Sequence, residues 1–573
     1  MSISKTYNRK RVLIFVSFFT FGCLFLTGRI IFLMVFQSSY YTSLANELHE
    51  RKREIKAARG KILDRNGKVL ATNRTVCTIS VIYSQIEERE KVIQVLTKEL
   101  GMEEQEIRKK VEKVSSREKI KSNVEKEIGD KIRKYHLAGV KIDEDYKRYY
   151  LYDELGSKVL GFTGADNQGI LGLEVKYDKY LQGKNGRIRT VTDAAGVEIE
   201  GALETRRESV AGKDLTTSID LNIQKYAQQI AEKTLEEKKA NYVSIVVMNP
   251  QNGEIFAMVN APEFNLNQPY ELNIPFQGEK NSKEYQNELN KMWRNQSIND
   301  TYEPGSTFKV FTATTGLEEH VVTPESTFTC PGYKIVEDRR IRCHKTSGHG
   351  TETFVQGTMN SCNPVFMTVG ERIGVDHFYE YFQKLGLRSH TGVDLPGEAG
   401  TILHKKENVG AVELATMSFG QSFQITPINM LRMVSCVVNG GKLVTPHFGI
   451  SAKDSLNGVV ETFSYDTIED VVSKQTSETM RMILEKVISE GSGKKGEVEG
   501  FRVGGKTATS QKLPRSANKY IASFIGFAPA DHPQVIAIAI IDEPQGIYYG
   551  GSVAAPVIQK LYQNILPYLL DKK

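Results

Sequence analysis

The run Glu303-Pro304-Gly305-Ser306-Thr307-Phe308-Lys309 sets a hydroxyl and an amine at Ser-x-x-Lys spacing. A serine hydroxyl is a poor nucleophile until a base takes its proton. On a helix, a lysine three residues later lies one turn away on the same face, within reach of that hydroxyl. Pro304 and Gly305 read as a turn that opens a helix, since proline suits the first helical positions and not the interior. Ser306 then stands at a helix N-terminus, where free backbone N–H groups face developing negative charge. Nucleophile, base and part of an oxyanion site fit into one turn, and the chemistry they suit is acyl transfer through a serine ester.

Ser-x-x-Lys by itself is common. Ser2 with Lys5, Ser116 with Lys119 and Ser492 with Lys495 repeat it, and a solvated pair on a helix face is the ordinary explanation for each. Two later segments single out Ser306: Ser361-Cys362-Asn363, and Lys506-Thr507-Ala508-Thr509 preceded by Gly504-Gly505. Ser-x-Asn also recurs at Ser297/Asn299 and Ser516/Asn518, so order and context carry more than the triplet. In this order the three segments resemble the trio of penicillin-binding proteins and serine β-lactamases. The segment Arg59 to Ala71 resembles the pedestal motif of class B penicillin-binding proteins. Further matches follow in family order: Gly172-Leu173-Glu174 with Leu181-Gln182-Gly183, Thr217-Ser218-Ile219-Asp220, and Met248-Asn249-Pro250 through Ile255. Then come Phe419-Gly420-Gln421 and Tyr549-Gly550-Gly551-Ser552. The resemblance is to class B penicillin-binding proteins of the penicillin-binding protein 4B, division or sporulation type, and it runs from about residue 55 onward.

That resemblance implies an α+β multi-domain chain: a transmembrane helix, an elongated membrane-proximal pedestal, and a C-terminal transpeptidase domain with an antiparallel sheet packed by helices, as in serine β-lactamases. It implies that Ser306 attacks the carbonyl between two terminal D-alanines of a peptidoglycan stem peptide, with Lys309 as base. A free lysine is a poor base at neutral pH unless burial or a nearby cation lowers its pKa, and Lys506 could supply that cation; Ser361 would be a proton relay, and Asn363 a partner of the substrate amide. The backbone N–H groups of Ser306 and Thr509 would form the oxyanion hole, and Thr507 and Thr509 with Lys506 would hold the terminal carboxylate. Ala508 departs from the family, which usually has glycine there, and its methyl could narrow the pocket or twist the strand. No cofactor or metal is implied. Implied partners are stem peptides, β-lactams as covalent inhibitors and a polytopic membrane glycosyltransferase. A carboxypeptidase, or a slowly acylating scaffold of the wall-synthesis machinery, would use the same residues; anchor and pedestal argue against a β-lactamase.

Composition is compatible with this. The chain has 573 residues, 40% hydrophobic and 25% charged, which is ordinary for a globular protein of more than one domain. A net charge of +6 over this length does not argue for nucleic acid. After Arg9-Lys10-Arg11, residues Val12 to Phe36 are predominantly apolar, with Arg29 the one charge. As a helix they rise about 37 Å, enough to span a bilayer. Basic residues before the span favour the N-terminus inside and the bulk outside. A cleaved signal peptide would have a shorter apolar stretch and small residues at a cleavage site. The expected divisions are a cytoplasmic tail 1–11, an anchor 12–36, a pedestal 37–208 with a charge-rich lobe at 84–155, and a transpeptidase domain 209–573.

Within the lobe, Val92, Ile93, Val95, Leu96 and Leu100 recur as on an amphipathic helix. Val243 to Met248 and Glu254 to Val259 read as one hairpin, Ile521 to Phe527 and Gln534 to Ile541 as another, and Val557 to Ile565 as a C-terminal helix. Of six cysteines, Cys23 lies in the span, Cys77 and Cys436 lie in apolar settings, and Cys362 is expected near solvent beside the pocket. Cys330 and Cys343, with His344 and His349, superficially resemble a zinc site but lack its close cysteine pair. A Cys330–Cys343 disulfide is the preferred expectation, with free thiols and then a metal site as the alternatives.

Overall fold

The computed structural model describes residues 9–41, 50–115, 117–191, 205–454 and 457–570. The chain divides into two compact units: Met1–Ala57, Thr75–Lys147 and Lys184–Val210 form one, and Ala58–Arg74, Arg148–Gly183 and Ala211–Lys573 the other. The expected passage from pedestal to catalytic domain near Gly201 falls partly outside the described residues.

The first unit begins with helix α1 (Arg9–Ile31), which continues as one π-helical turn through Phe36. Over Arg9–Phe36 it is long and apolar enough to cross a membrane, with a mean hydropathy of 2.0. None of its residues is buried by the protein. Both of its threonine hydroxyls are satisfied within the helix, Thr20 Oγ1 donating to Val16 O and Thr27 Oγ1 to Cys23 O at 2.7 and 2.8 Å, as an apolar surrounding favours.

The charge-rich lobe is a small mixed domain with its own core. Helix α2 (Arg89–Leu100) buries Val92, Ile93, Leu96 and Leu100 and ends at Gly101 in the left-handed conformation. Helix α3 (Glu104–Val111) adds Ile107 and Val111. Helical periodicity does not describe the rest, because strand β1 (Glu118–Glu125) pairs antiparallel with the segment Val76 to Val81 and buries Ile120 and Val124. Helix α4 (Lys126–Arg133) closes the core with Ile132.

In the second unit Asp220 caps helix α5 (Leu221–Lys238), accepting from the N–H groups of Asn222 and Ile223. Strands β2 (Tyr242–Met248) and β3 (Ile255–Ala261) form the first expected hairpin. Helices α6 (Lys309–Glu318), α7 (Asn363–Lys384, broken at Gly374), α8 (Pro427–Val438) and α9 (Lys474–Ser489) follow. Strands β4 (Gly504–Gln511), β5 (Tyr520–Ala528) and β6 (Val535–Asp542) complete an antiparallel sheet of order β3-β2-β6-β5-β4, and helix α10 (Ala555–Leu570) ends the unit.

Helices cover both faces of this sheet, which is why its strands read as unbroken apolar runs and not as alternating ones. Val535, Ala537, Ala539 and Ile541 of β6 pack with α5 and α10. Ile536, Ile538 and Ile540 join the core that contains α6, α7, α8 and α9. Strand β4 is left at an edge, with one side of its backbone unpaired in the sheet.

A buried ion cluster ties two of the motifs together. Arg59 Nε donates to Glu174 Oε2 at 2.6 Å and Arg59 Nη1 to Asp178 Oδ1 at 2.7 Å, while Arg148 Nε donates to Glu174 Oε1 at 2.6 Å. Burial pulls the Arg59 pKa down, but Glu174 and Asp178 more than offset this and hold it above its ordinary value. Removing one partner of such a network leaves charge buried and unmatched, at a cost of about 3–5 kcal/mol. Glu174→Gln is therefore expected to lower the thermal midpoint clearly, and an unchanged midpoint would refute the bracing role of this cluster.

Candidate active site

Three segments meet at one cleft of about 830 Å³. Ser306 lies in a 3-10 turn, Gly305–Phe308, that feeds directly into α6, so it holds the helix N-terminal position its sequence suggests. Gly305 makes that turn with φ +56°, and a Cβ on it would come 2.3 Å from Ser510 Oγ of β4. The turn is anchored from both sides. Gly305 N donates to Gly420 O at 2.9 Å, and Glu303 pairs with Arg515 at 2.7 Å.

Ser306, Ser361, Asn363, Thr507, Ala508 and Thr509 line the cleft, whereas the side chains of Lys309 and Lys506 lie beneath it with 0% exposure. Lys309 Nζ donates to Ser361 O at 2.7 Å, Ser361 Oγ at 3.2 Å and Asn363 Oδ1 at 2.7 Å. Ser361 adopts φ +53°, unusual for a residue other than glycine, and Asn363 opens helix α7. Burial pulls the Lys309 pKa down from 10.5 to about 8. The Lys506 pKa is pushed well below the ordinary lysine value, first by burial and then by repulsion from Lys309. Burial, and not the charge of Lys506, is thus the main reason that Lys309 is lowered, one of the two routes open from its sequence. Two buried ammonium groups near enough to repel resist being charged together, so a neutral amine is available at moderate pH.

The edge position of β4 matters for the other side of the cleft. Lys512 N donates to Lys519 O at 2.7 Å, and the register with β5 is unbroken from Gly504 to Gln511. Antiparallel alternation then turns the N–H and C=O groups of Thr507 and Thr509 outward from the open edge. Thr509 Oγ1 accepts from Gly550 N at 2.9 Å. Ala508 is 3% exposed, and its methyl points to the same side as Ser510, toward the turn of Gly305.

Sequence reasoning missed several lining residues. Tyr520 and Tyr548 stack with ring centroids 4.1 Å apart at the rim, beside Tyr549 of the motif already singled out. Ser492 and Lys495, set aside as a chance Ser-x-x-Lys pair, also line the cleft, and Lys495 Nζ donates to Ser552 Oγ at 3.4 Å. No local signal in the sequence marks Ser492 and Lys495; the packing of α9 against β4 and of the turn after α9 against α10 brings them there. His344 lines the cleft as well.

The cysteines differ from expectation. All six are free thiols, with no Cys330–Cys343 disulfide, and Cys362 is 0% exposed and not near solvent. The reason is geometric: Cys362 caps α7 with its side chain turned inward, away from the cleft that Ser361 and Asn363 line.

Comparison with known proteins agrees with this geometry. Residues 243–563 match the penicillin-binding protein transpeptidase domain, and residues 54–217 the penicillin-binding protein dimerisation domain. The chain is 37% identical to Stage V sporulation protein D of Bacillus subtilis over 99% of its own length and 87% of that protein. It is 27% identical to the peptidoglycan D,D-transpeptidase FtsI of Escherichia coli, over 95% of this chain and 90% of the other. Penicillin-binding protein 2X of Streptococcus thermophilus shares the fold at a TM-score of 0.75 and 22% identity, covering 91% of this chain and 81% of that one. A peptidoglycan synthetase from Bifidobacterium adolescentis does so at 0.72 and 23%, covering 91% and 97%.

The turn before Ser306 offers a sharp test. Gly305→Ala should displace the hydroxyl by close to an ångström, and such misplacement costs about 100-fold in rate. Acylation by a fluorescent penicillin at wild-type speed in that variant would contradict the tight docking of this turn on β4.

Proposed function

The chain belongs to the class B penicillin-binding proteins and is a serine peptidoglycan D,D-transpeptidase, and from that premise we propose how its residues divide the reaction. Ser306 Oγ attacks the carbonyl between the two terminal D-alanines, forming an acyl-serine and releasing the last D-alanine. The protonated Lys309 amine spends its three donors on Ser361 O, Ser361 Oγ and Asn363 Oδ1. Loss of one proton frees a lone pair, and a shift of the amine from one of those acceptors to Ser306 makes it the base. Ser361 passes the proton to the leaving amine. Asn363 holds the stem-peptide amide, and the backbone N–H groups of Ser306 and Thr509 hold the oxyanion. Thr507, Thr509 and Lys506 receive the terminal carboxylate, with Ala508 supplying backbone between them. The amine of a second stem peptide then displaces Ser306, and the same serine is the residue that β-lactams acylate. The observation that carries this reading is the convergence of Ser306, Ser361, Asn363, Thr507 and Thr509 on one cleft over two buried lysines.

The protein is anchored by α1. We read residues 1–11 as cytoplasmic, 12–36 as the single span, 37–208 as the pedestal and 209–573 as the transpeptidase domain outside the membrane. The basic Arg9-Lys10-Arg11 before the span supports this orientation. We further read the partner as a polytopic membrane glycosyltransferase that supplies the glycan strand for cross-linking.

Ser306→Ala should abolish labelling by fluorescent penicillin while leaving the thermal midpoint unchanged; labelling that persists refutes the nucleophile. Lys309→Ala should slow labelling by about 100- to 10,000-fold, the usual worth of a general base. With two stem peptides supplied, a cross-linked dimer is the expected product, and free D-alanine without dimer would make the protein a carboxypeptidase.

A further inference from the structure

Four side chains unused by the transpeptidase chemistry converge behind Ser361. The Sγ atoms of Cys330, Cys343 and Cys362 and a ring nitrogen of His349 all lie within 4.8 Å of one another. The three cysteines are 1%, 2% and 0% exposed, and the His349 side chain is 7% exposed. They come from four separate places: the end of strand Thr327–Cys330, the residue after strand Arg339–Arg342, the residue before strand Gly350–Thr353, and the cap of α7.

The backbone holds them there independently of the thiols. Cys343 N donates to Gly332 O at 2.8 Å and His349 N to Cys330 O at 3.1 Å. Gly332 and Gly348 sit at φ +94° and +84°, where a Cβ would strike Thr346 O at 2.1 Å and Cys330 O at 2.4 Å. Beside the imidazole lies a carboxylate. Glu352 Oε1 is 3.9 Å from His349 Nδ1, is buried, and has no hydrogen-bond partner, while Glu352 Oε2 accepts from Asn360 at 2.9 Å. The same Nδ1 lies 3.7 Å from Cys343 Sγ, so it is this nitrogen of the imidazole that faces the thiols.

A disulfide would use two of these thiols and leave a third thiol and an imidazole buried with nothing to do. One tetrahedral ion uses all four. Three thiolates and an imidazole are the donor set of closed structural zinc sites, with Zn–S about 2.3 Å and Zn–N about 2.0–2.1 Å. Tetrahedral geometry at those lengths separates the donors by about 3.4–3.8 Å, a small contraction from the spacing seen. We propose that Cys330, Cys343, His349 and Cys362 bind one Zn²⁺, and that this ion fixes the Ser361–Asn363 turn against Lys309. On binding, the three thiol protons pass to solvent and the four ligands fill the coordination sphere, so the ion has a positioning role and takes no part in the acyl transfer. Cys362 stands between the two residues that accept from Lys309 Nζ, and Ser361 is held in the left-handed conformation immediately before it. The positioning half of the proposal rests on the roles given above to Ser361 and Asn363.

The full-length protein, purified in detergent under reducing conditions, should carry one zinc per chain by elemental analysis. Cys330→Ser and His349→Ala should lower that content, and Cys23→Ser in the span should not. Because those buried variants can also misfold, the wild type is stripped with a strong chelator and refilled. Co²⁺ should give thiolate charge-transfer absorption and the intense visible bands of a tetrahedral ion. Stripping should slow penicillin acylation by about 100-fold, reversibly on adding Zn²⁺, as misplacement of a reacting group does. No metal uptake, or an intact mass showing a Cys–Cys disulfide in protein purified without reductant, overturns the site. Zinc that binds tightly while its removal changes acylation less than about two-fold overturns the positioning role. Neither result bears on Ser306, whose failure would appear as labelling that survives Ser306→Ala in zinc-loaded protein.

Discussion

Stripping water from an ammonium ion costs several kcal/mol even after the protein relaxes, and two lysines lie fully buried beneath the serine turn of this enzyme. Lys309 has three oxygen acceptors within 3.2 Å, whereas Lys506 has one carbonyl, Thr507 O, at 3.3 Å. The Phe366 ring lies 5.4 Å from Lys309 Nζ and covers it on one side. Phe308, the residue before Lys309, packs on Phe311 and Phe423 at 4.6 Å between centroids and on Phe382 at 5.5 Å. The low pKa of the amines is thus produced by the hydrophobic core, and the polar groups of the site adjust it.

The same logic explains why distant motifs recur in one chain. Arg59 and Glu174 touch no substrate, yet their ion pair has 0% exposure on both side chains and joins segments more than a hundred residues apart. Asp220 likewise caps α5, accepts from Asn66 and accepts from Tyr568 of the last helix. Such contacts fix the base of the second unit so that the turn of Ser306 and the edge of β4 meet in register.

Much of this was legible beforehand, for reasons that differ by residue. Helical spacing offered Ser306 and Lys309 as one pair among several, and the unbroken apolar runs gave both hairpins of the sheet. Ser361, Asn363 and Lys506 could be joined to them through the family order of motifs; no local property of the sequence brings them together. Strand β1 was hidden because Glu118-Lys119-Ile120-Lys121 offers few apolar residues to set a period of two. The hydrogen bonds of Lys309 to Ser361 and Asn363 were not foreseeable, since helical geometry places an amine near Ser306 but does not choose its rotamer. The cysteine reading failed because linear spacing relates Cys330 to Cys343 and is blind to Cys362, which arrives through the cap of another helix.

The unpaired border of β4 has a consequence for what the enzyme can accept. Peptide groups outside a sheet form a template that any extended chain can extend by one strand, whatever side chains it bears. Recognition of the middle of a donor would then be indifferent to its sequence, and discrimination must come from its two ends: the small terminal residues beside the hydroxyl, and whatever lies against the stacked phenols at the rim.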